Sequence, residues 1–185
     1  DIEEAARRLA KYDPDCFAYY CTTISFVRGP GGDEDISHRI TAATGKPATT
    51  TSTAMIAAFR ELDIRKVVLA SPYLPDIESK FVEFIEDHDV DVLRSLSLSL
   101  PDGHAIVPPE EMSRLAESSD LPEADAVFVG CTGQRLARDL TRLEEELGKP
   151  VLTANQVTVW KGLELLGPVP DLPGLGALFR SGSRR

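Results

Sequence analysis

The chain has 185 residues, 42% of them apolar and 27% charged, which is enough to bury the core of one domain or of two packed half-domains. Thirty acidic residues outnumber twenty basic ones, and the formal net charge of −10 disfavours binding to nucleic acids or anionic membrane surfaces. No apolar run reaches the roughly 18 residues that a membrane span needs. Three cysteines, an odd number, suit a reducing compartment, so we expect a soluble cytoplasmic protein.

Short apolar runs alternate with amphipathic segments along the chain. The runs that predict strands cover residues 16–20, 48–50, 66–70, 91–100, 126–129 and 151–153. The segments with helical spacing cover residues 2–12, 34–44, 51–62, 75–85, 108–115, 136–147 and 156–166. Apolar strands spaced by helices are typical of parallel sheets that are covered on both faces. The sequence therefore predicts an α/β fold with parallel sheets flanked by helices.

An internal repeat divides the chain. Residues 45–62 align without a gap on residues 148–165, and both copies begin with Gly-Lys-Pro. Upstream of each copy, a predicted strand ends in a Cys-Thr pair, at Cys21 and at Cys131. The simplest account is two related half-domains with a pseudo-twofold axis between them. We expect the first half-domain to comprise residues 1–65 and 155–185, and the second to comprise residues 66–154.

The two cysteines of the repeat are the main candidates for chemistry. Both follow strands directly, and open α/β sheets place their ligands at the carboxyl ends of their strands. Loops that run from a strand end into a helix N-terminus lower thiol pKa values, so we expect reactive thiols at both positions. Cys16 lies inside an apolar run and is interpreted as a buried packing residue. The three histidines show no ligand spacing, so we expect no metal site.

Several separated motifs occur in the order and spacing of one superfamily. They are Cys21-Thr22-Thr23, residues 50–54, Ser71-Pro72-Tyr73, Gly130-Cys131-Thr132, and Ala154-Asn155-Gln156 with Trp160. Through them the chain resembles, over most of its length, the maleate cis-trans isomerases and arylmalonate decarboxylases of the aspartate/glutamate racemase superfamily. This resemblance implies a cofactor-independent enzyme of two flavodoxin-like halves. It places the active site in the cleft between them, with a small carboxylate as substrate.

The resemblance also implies roles for individual residues. Cys21 would add to a double bond of the substrate, and Cys131 would handle a proton on the other side. Substrate-binding groups are implied at Thr22, Thr23, Tyr73, Thr132 and Gly133. Family members carry a further strand before the point that matches Asp1, so we expect the first half-domain to lack its N-terminal strand. A family asparagine is replaced here by the region 102–104, which contains a histidine.

The number of cysteines separates the reactions within the superfamily. Racemases and maleate isomerases use one cysteine from each half, whereas arylmalonate decarboxylases keep only the second and carry glycine at the first. This chain has both, which favours an isomerase or a racemase. Residues 25–29 and 174–179 are more similar to the decarboxylases, so a decarboxylase is the first alternative. A flavodoxin-like binding module without catalysis is the second, and a homo-oligomer is left open.

Overall fold

A computed structural model describes residues 1–172 and 174–181 of the chain. Its α-helices are α1 (Ile2–Ala10), α2 (Thr22–Phe26), α3 (Gly32–Thr44), α4 (Thr51–Glu61), α5 (Pro75–Glu86), α6 (Pro109–Ser119), α7 (Leu140–Leu147), α8 (Ala154–Glu164) and α9 (Leu178–Ser181). None of the helices within the described ranges is both long and apolar enough to cross a membrane.

The strands form two separate sheets. Strands β1 (Phe17–Tyr19) and β2 (Ala48–Thr50) make a two-stranded parallel sheet. The second sheet has four parallel strands in the order β4-β3-β5-β6. Its members are β3 (Lys66–Ser71), β4 (Asp91–Ser97), β5 (Ala126–Val129) and β6 (Val151–Thr153). The predicted α/β fold with parallel sheets flanked by helices is confirmed.

Strand β3 lies between β4 and β5, and its residues alternate between two apolar cores. Val67 and Leu69 belong to one core, while Val68 and Ala70 belong to the other. Residues 67–71 are all buried, because helices cover both faces of the sheet. This burial explains why the strand has a continuous apolar sequence with no polar alternation.

The two sheets fall within the two ranges predicted from the repeat. Strands β1 and β2 lie within residues 1–65, and strands β3 to β6 lie within residues 66–154. Helix α8 packs against α4, and the Thr158 hydroxyl donates to the Thr51 hydroxyl over 3.1 Å. The half-domain boundaries and the pseudo-twofold axis stay predictions, and residues 173 and 182–185 of the predicted first half-domain lie outside the described residues.

Two local predictions were wrong. Helix α2 forms at residues 22–26, where no helix was predicted. The segment begins with three β-branched residues, which disfavour a helix. The Ser25 hydroxyl donates to the carbonyls of Cys21 and Thr22, both over 2.8 Å, and so ties this short turn together. Helix α7 begins at Leu140 and not at Leu136. Leu136 is buried in the turn before the helix. It lies four residues before Leu140, so the spacing of apolar residues is the same as if the helix began at Leu136.

Phe128 on β5 tests the packing of the larger core. Its ring is fully buried and meets Phe59 and Phe81 at centroid distances of 5.6 and 6.0 Å. We expect Phe128→Ala to lower the free energy of unfolding by about 3–5 kcal/mol, through lost burial and the cavity left behind. Urea denaturation measures this loss. Ile106→Ala is the control, because 81% of that residue is exposed and truncation there should change little. Equal losses in the two variants would contradict the assignment of the core.

Candidate active site

Cys21 lies just beyond the carboxyl end of β1. It is the N-cap residue of α2, with an extended backbone and a half-buried side chain. The Cys21 carbonyl accepts from the Ser25 hydroxyl, and the buried Ser52 also holds this turn. The two serine hydroxyls lie 2.6 Å apart, and that of Ser52 donates to the Thr22 carbonyl over 3.3 Å. Buried hydroxyl groups thus fix the backbone that carries the first cysteine.

Cys131 lies beyond the carboxyl end of β5, in a different backbone conformation. Its φ of +76° falls in the left-handed region, which costs a residue with a side chain about 1–3 kcal/mol. The backbone N–H of Gly133 donates to its sulfur over 3.4 Å. No helix follows directly, because residues 132–139 form turns before α7 begins. Strained backbone conformations of this kind are frequent at functional sites.

Tyr73 lies where these two turns meet. Its side chain is only 2% exposed, and its ring packs edge-to-face against Phe81 at a centroid distance of 5.8 Å. Within the described chain, its hydroxyl has no hydrogen-bond partner. Burial raises the pKa of the Tyr73 phenol, the nearby thiols of Cys131 and Cys21 raise it further, and Thr23 and Thr22 oppose the shift. The structure therefore brings Tyr73 close to both cysteines.

The electrostatic environment of Cys131 differs from what its sequence position predicts. Burial raises the pKa of this thiol above its usual value. The Gly133 N–H, which donates to the sulfur, lowers this pKa in part, the nearby Tyr73 and Gln134 side chains lower it further, and the neighbouring Cys21 raises it again. The expectation of a lowered pKa was wrong for this cysteine, because its loop is buried and does not lead into a helix N-terminus. Burial therefore favours the protonated form of the Cys131 thiol.

The other predicted binding residues lie in the same two turns. Thr22 is 1% exposed, and its hydroxyl, like that of Tyr73, has no partner in the part of the chain described here. Thr23 is half-buried in the first turn of α2. Thr132 and Gly133 are half-buried next to Cys131. A side chain at residue 133 would meet the Ala105 backbone at 3.2 Å, a close approach that favours glycine there.

The structure corrects the interpretation of the third cysteine. Cys16 is half-buried just before β1, and was predicted to be a buried residue of the core. Its thiol lies 3.6 Å from the carbonyl of Gly162 on α8. Burial and the charge of Asp15 raise its pKa. Cys16 is the first residue of the apolar run, one position before β1 begins, and the hydrophobic pattern does not show how deeply such an end residue is buried. All three cysteines are free thiols.

Three side chains near the site were not predicted to belong to it. The Tyr20 hydroxyl donates to Asn155 over 2.7 Å, and the Asn155 amide donates to the Gln134 carbonyl over 2.6 Å. The Gln134 amide then donates to the carbonyl of His104 over 2.8 Å. This chain of bonds links the turn before Cys21 to the turn after Cys131. Asn155 was noted only as part of a motif, and no pattern in the sequence indicates that these side chains meet.

His104 stands beside Tyr73, with the two ring centroids 5.9 Å apart. One of its ring nitrogens lies 3.1 Å from the Leu100 carbonyl, which orients the imidazole. The sequence analysis noted His104 in the region that replaces a family asparagine and excluded it as a metal ligand, but did not place it in the site. The residues that the structure describes contain no cluster of three or more histidine, cysteine, aspartate or glutamate side chains that could hold a metal ion.

The molecule is an α/β protein with a paired-cysteine site. One cysteine lies beside the end of a strand in each parallel sheet, and both are near the same buried tyrosine. A family model described as arylmalonate decarboxylase matches residues 1–179, and the chain belongs to that family.

Two curated relatives show the breadth of this family. The chain is 28% identical to the maleate isomerase of Geobacillus stearothermophilus, over 97% of this chain and 74% of that protein. It is also 28% identical to the arylmalonate decarboxylase of Bordetella bronchiseptica, over 96% of this chain and 76% of that protein. Sequence identity does not separate the two activities.

One similar solved structure contains a covalent intermediate on a cysteine. The fold is similar to that of a cysteine-to-serine mutant of the Nocardia farcinica maleate cis-trans isomerase with a covalently bound succinylcysteine intermediate. The TM-score is 0.91 and the identity 25%, with 96% of this chain and 76% of that one covered.

The raised pKa of Cys131 predicts how this thiol responds to pH. Its alkylation by iodoacetamide should reach half its maximal rate at a pH above the ordinary thiol value of about 8.5, because only the thiolate reacts. Mass spectrometry of peptides after brief labelling at stepped pH measures the rate. Cys21→Ser should move the Cys131 midpoint to lower pH, since a neighbouring negative charge is removed. A midpoint at or below that of N-acetylcysteine would contradict the assigned environment.

Proposed function

We propose that this protein is a cofactor-independent cis-trans isomerase of a small dicarboxylate such as maleate. Cys21 is the nucleophile, and Cys131 is the proton donor and acceptor. The observation that carries this proposal is that the turns of the two cysteines meet at the buried Tyr73, where both thiols raise the pKa of its phenol and Cys21 also raises the pKa of Cys131. A reaction that needs one thiolate and one thiol on a single small molecule requires this arrangement.

In the first step, the Cys21 thiolate adds to one carbon of the double bond and forms a C–S bond. The displaced π electrons pass to the neighbouring carboxylate, which acquires enolate character. The hydroxyls of Tyr73 and Thr22 are buried donors without a partner among the described residues, so they are free to bond this carboxylate. Donors that are already in place stabilise such developing charge strongly, because little reorganisation is needed.

In the second step, Cys131 donates its proton to the enolate carbon and gives a succinyl thioether on Cys21. The former double bond is now single and can rotate. The Cys131 thiolate then takes a proton back from the same carbon, the double bond re-forms, and the Cys21 thiolate leaves. The raised pKa of Cys131 suits both roles, since the thiol is protonated beforehand and its thiolate is a strong base.

The remaining predicted residues suit the binding of the carboxylates. Thr23 lies with Thr22 at the start of α2, and Thr132 and Gly133 follow Cys131 in its turn. Their backbone N–H groups and hydroxyls are suitable donors to carboxylate oxygens. The acidic chain, with its formal net charge of −10, is unsuited to nucleic acid as a partner. Three free cysteines suit a reducing cytoplasm.

A decarboxylase is the second candidate, favoured by the family model and by the Bordetella relative. In that reaction a malonate-type substrate would lose carbon dioxide and leave an enediolate. Cys131 would then protonate this carbanion equivalent, and Cys21 would have no chemical role. The two reactions share the donors at Tyr73 and Thr22, so the cysteines distinguish them.

Substitution of each cysteine separates the candidates. For an isomerase, Cys21→Ser and Cys131→Ser should each lower kcat by about a thousandfold or more, because a hydroxyl presents almost no anion at neutral pH. Proton NMR of maleate conversion measures the rate, and Cys16→Ser is the matched control with unchanged kcat. For a decarboxylase, Cys21→Gly should retain turnover of an arylmalonate. Wild-type isomerase activity in Cys21→Ser would overturn the proposal.

Removal of the Tyr73 hydroxyl tests its role in binding the carboxylate. We expect Tyr73→Phe to lower kcat/KM by about ten- to a hundredfold, the size typical of a lost charge-assisted hydrogen bond. The free energy of unfolding should not fall, because the hydroxyl makes no hydrogen bond within the described residues. Kinetics and urea denaturation on the same preparation give both quantities. An unchanged kcat/KM would leave Tyr73 with a packing role only.

A further inference from the structure

The serine-leucine repeat at residues 95–100 has a role that the reaction itself does not explain. Along β4 and the turn after it, serine and leucine alternate, and alternate residues of a strand face opposite sides. Leu98 and Leu100 pack against the second core. The Ser95 hydroxyl donates to a carboxylate oxygen of Glu78, and the Ser97 hydroxyl donates to the backbone carbonyl of Tyr73. The serine side therefore points toward the tyrosine of the site.

Glu78 is the centre of this polar cluster. It lies in the first turns of α5 and is 8% exposed. Its second carboxylate oxygen accepts from the hydroxyl of Ser71, the last residue of β3. Burial raises the pKa of Glu78, and the two serine hydroxyls lower it in part. One carboxylate thus joins β3, β4 and α5 immediately beside Tyr73.

Both backbone groups of Tyr73 are held by the serines of this cluster. Its N–H donates to the Ser71 hydroxyl oxygen over 3.1 Å, and its carbonyl accepts from Ser97. The phenol hydroxyl has no such support among the described residues. The position of the phenol therefore depends on the backbone anchor and on the ring contacts. Three serines and a carboxylate are not needed for packing alone, because burial of each polar group costs desolvation free energy.

We propose that Glu78, Ser71, Ser95 and Ser97 form a positioning network for Tyr73. This inference rests on the proposed function, in which the Tyr73 hydroxyl bonds the substrate carboxylate. The network holds the backbone of Tyr73 so that its unpartnered hydroxyl meets the carboxylate as enolate charge develops. Small displacements of such donors are costly to catalysis, since stabilisation depends on geometry that exists before the reaction.

A double-mutant cycle tests the network through the group that it positions. Ser97→Ala and Glu78→Gln are each made in the wild type and in Tyr73→Phe. In the wild type, each should lower kcat/KM by about tenfold, in line with the coupling seen between residues of one network. In Tyr73→Phe, the same changes should lower kcat/KM less than about twofold, because the hydroxyl that they position is absent. Equal losses in the two backgrounds would overturn the inference.

Two controls distinguish positioning from general damage to the fold. Ser79→Ala removes an exposed hydroxyl on α5, next to Glu78 in the chain, and Glu86→Gln removes an exposed carboxylate at the end of that helix. Neither should change kcat/KM. If Glu78→Gln fails to fold, Ser97→Ala carries the cycle, because it removes a single hydroxyl from a half-buried position.

A spectroscopic measurement keeps the inference separate from the proposed activity. The four tyrosines are labelled with fluorotyrosine, and Tyr73→Phe identifies the fluorine signal of Tyr73. Ser97→Ala and Glu78→Gln should shift or broaden that signal, and the two control variants should leave it unchanged. If the wild type turns over no dicarboxylate, the proposed function fails while this signal still tests the network. An unmoved Tyr73 signal in both network variants would overturn the inference even in an active enzyme.

Discussion

The Tyr73 hydroxyl is buried beside two thiols and has no protein partner in the described ranges, and the remainder of the site is arranged around it. An unsatisfied buried polar group costs about 1–3 kcal/mol. A small carboxylate that entered the site would satisfy it and regain that free energy. The Thr22 hydroxyl is likewise buried without a hydrogen-bond partner among the described residues. This is the basis of the proposal that the site bonds a carboxylate, most strongly when charge accumulates on that carboxylate.

The two cysteines share the end of the sheet but differ in their surroundings. Cys131 has a left-handed backbone, and burial raises its pKa, whereas Cys21 has an extended backbone at the start of α2. Cys21 is among the causes that raise the pKa of the Cys131 thiol. In the proposed reaction, Cys21 is the nucleophile and Cys131 is the proton donor.

The sequence predicts the architecture well, because apolar strands and amphipathic helices leave clear periodic patterns. The repeat also places Cys21 and Cys131 at equivalent strand ends. The environment of Cys131 could not be predicted, since its pKa depends on burial by residues distant in the chain. Contacts of Gln134 and His104 were missed for the same reason, because they depend on how two loops meet. Leu136 shows the limit of periodicity, which does not separate a helix from a buried turn.

The proposed mechanism depends most on which sulfur bonds to the substrate. Cys131→Ser, incubated with maleate and digested, should carry one added substrate mass on the peptide that contains Cys21. The adduct should persist, because removal of the proton by the Cys131 thiolate is lost. The double variant Cys21→Ser, Cys131→Ser should carry none. An adduct on Cys16, or no adduct while Cys131→Ser still converts maleate, would contradict nucleophilic addition by Cys21.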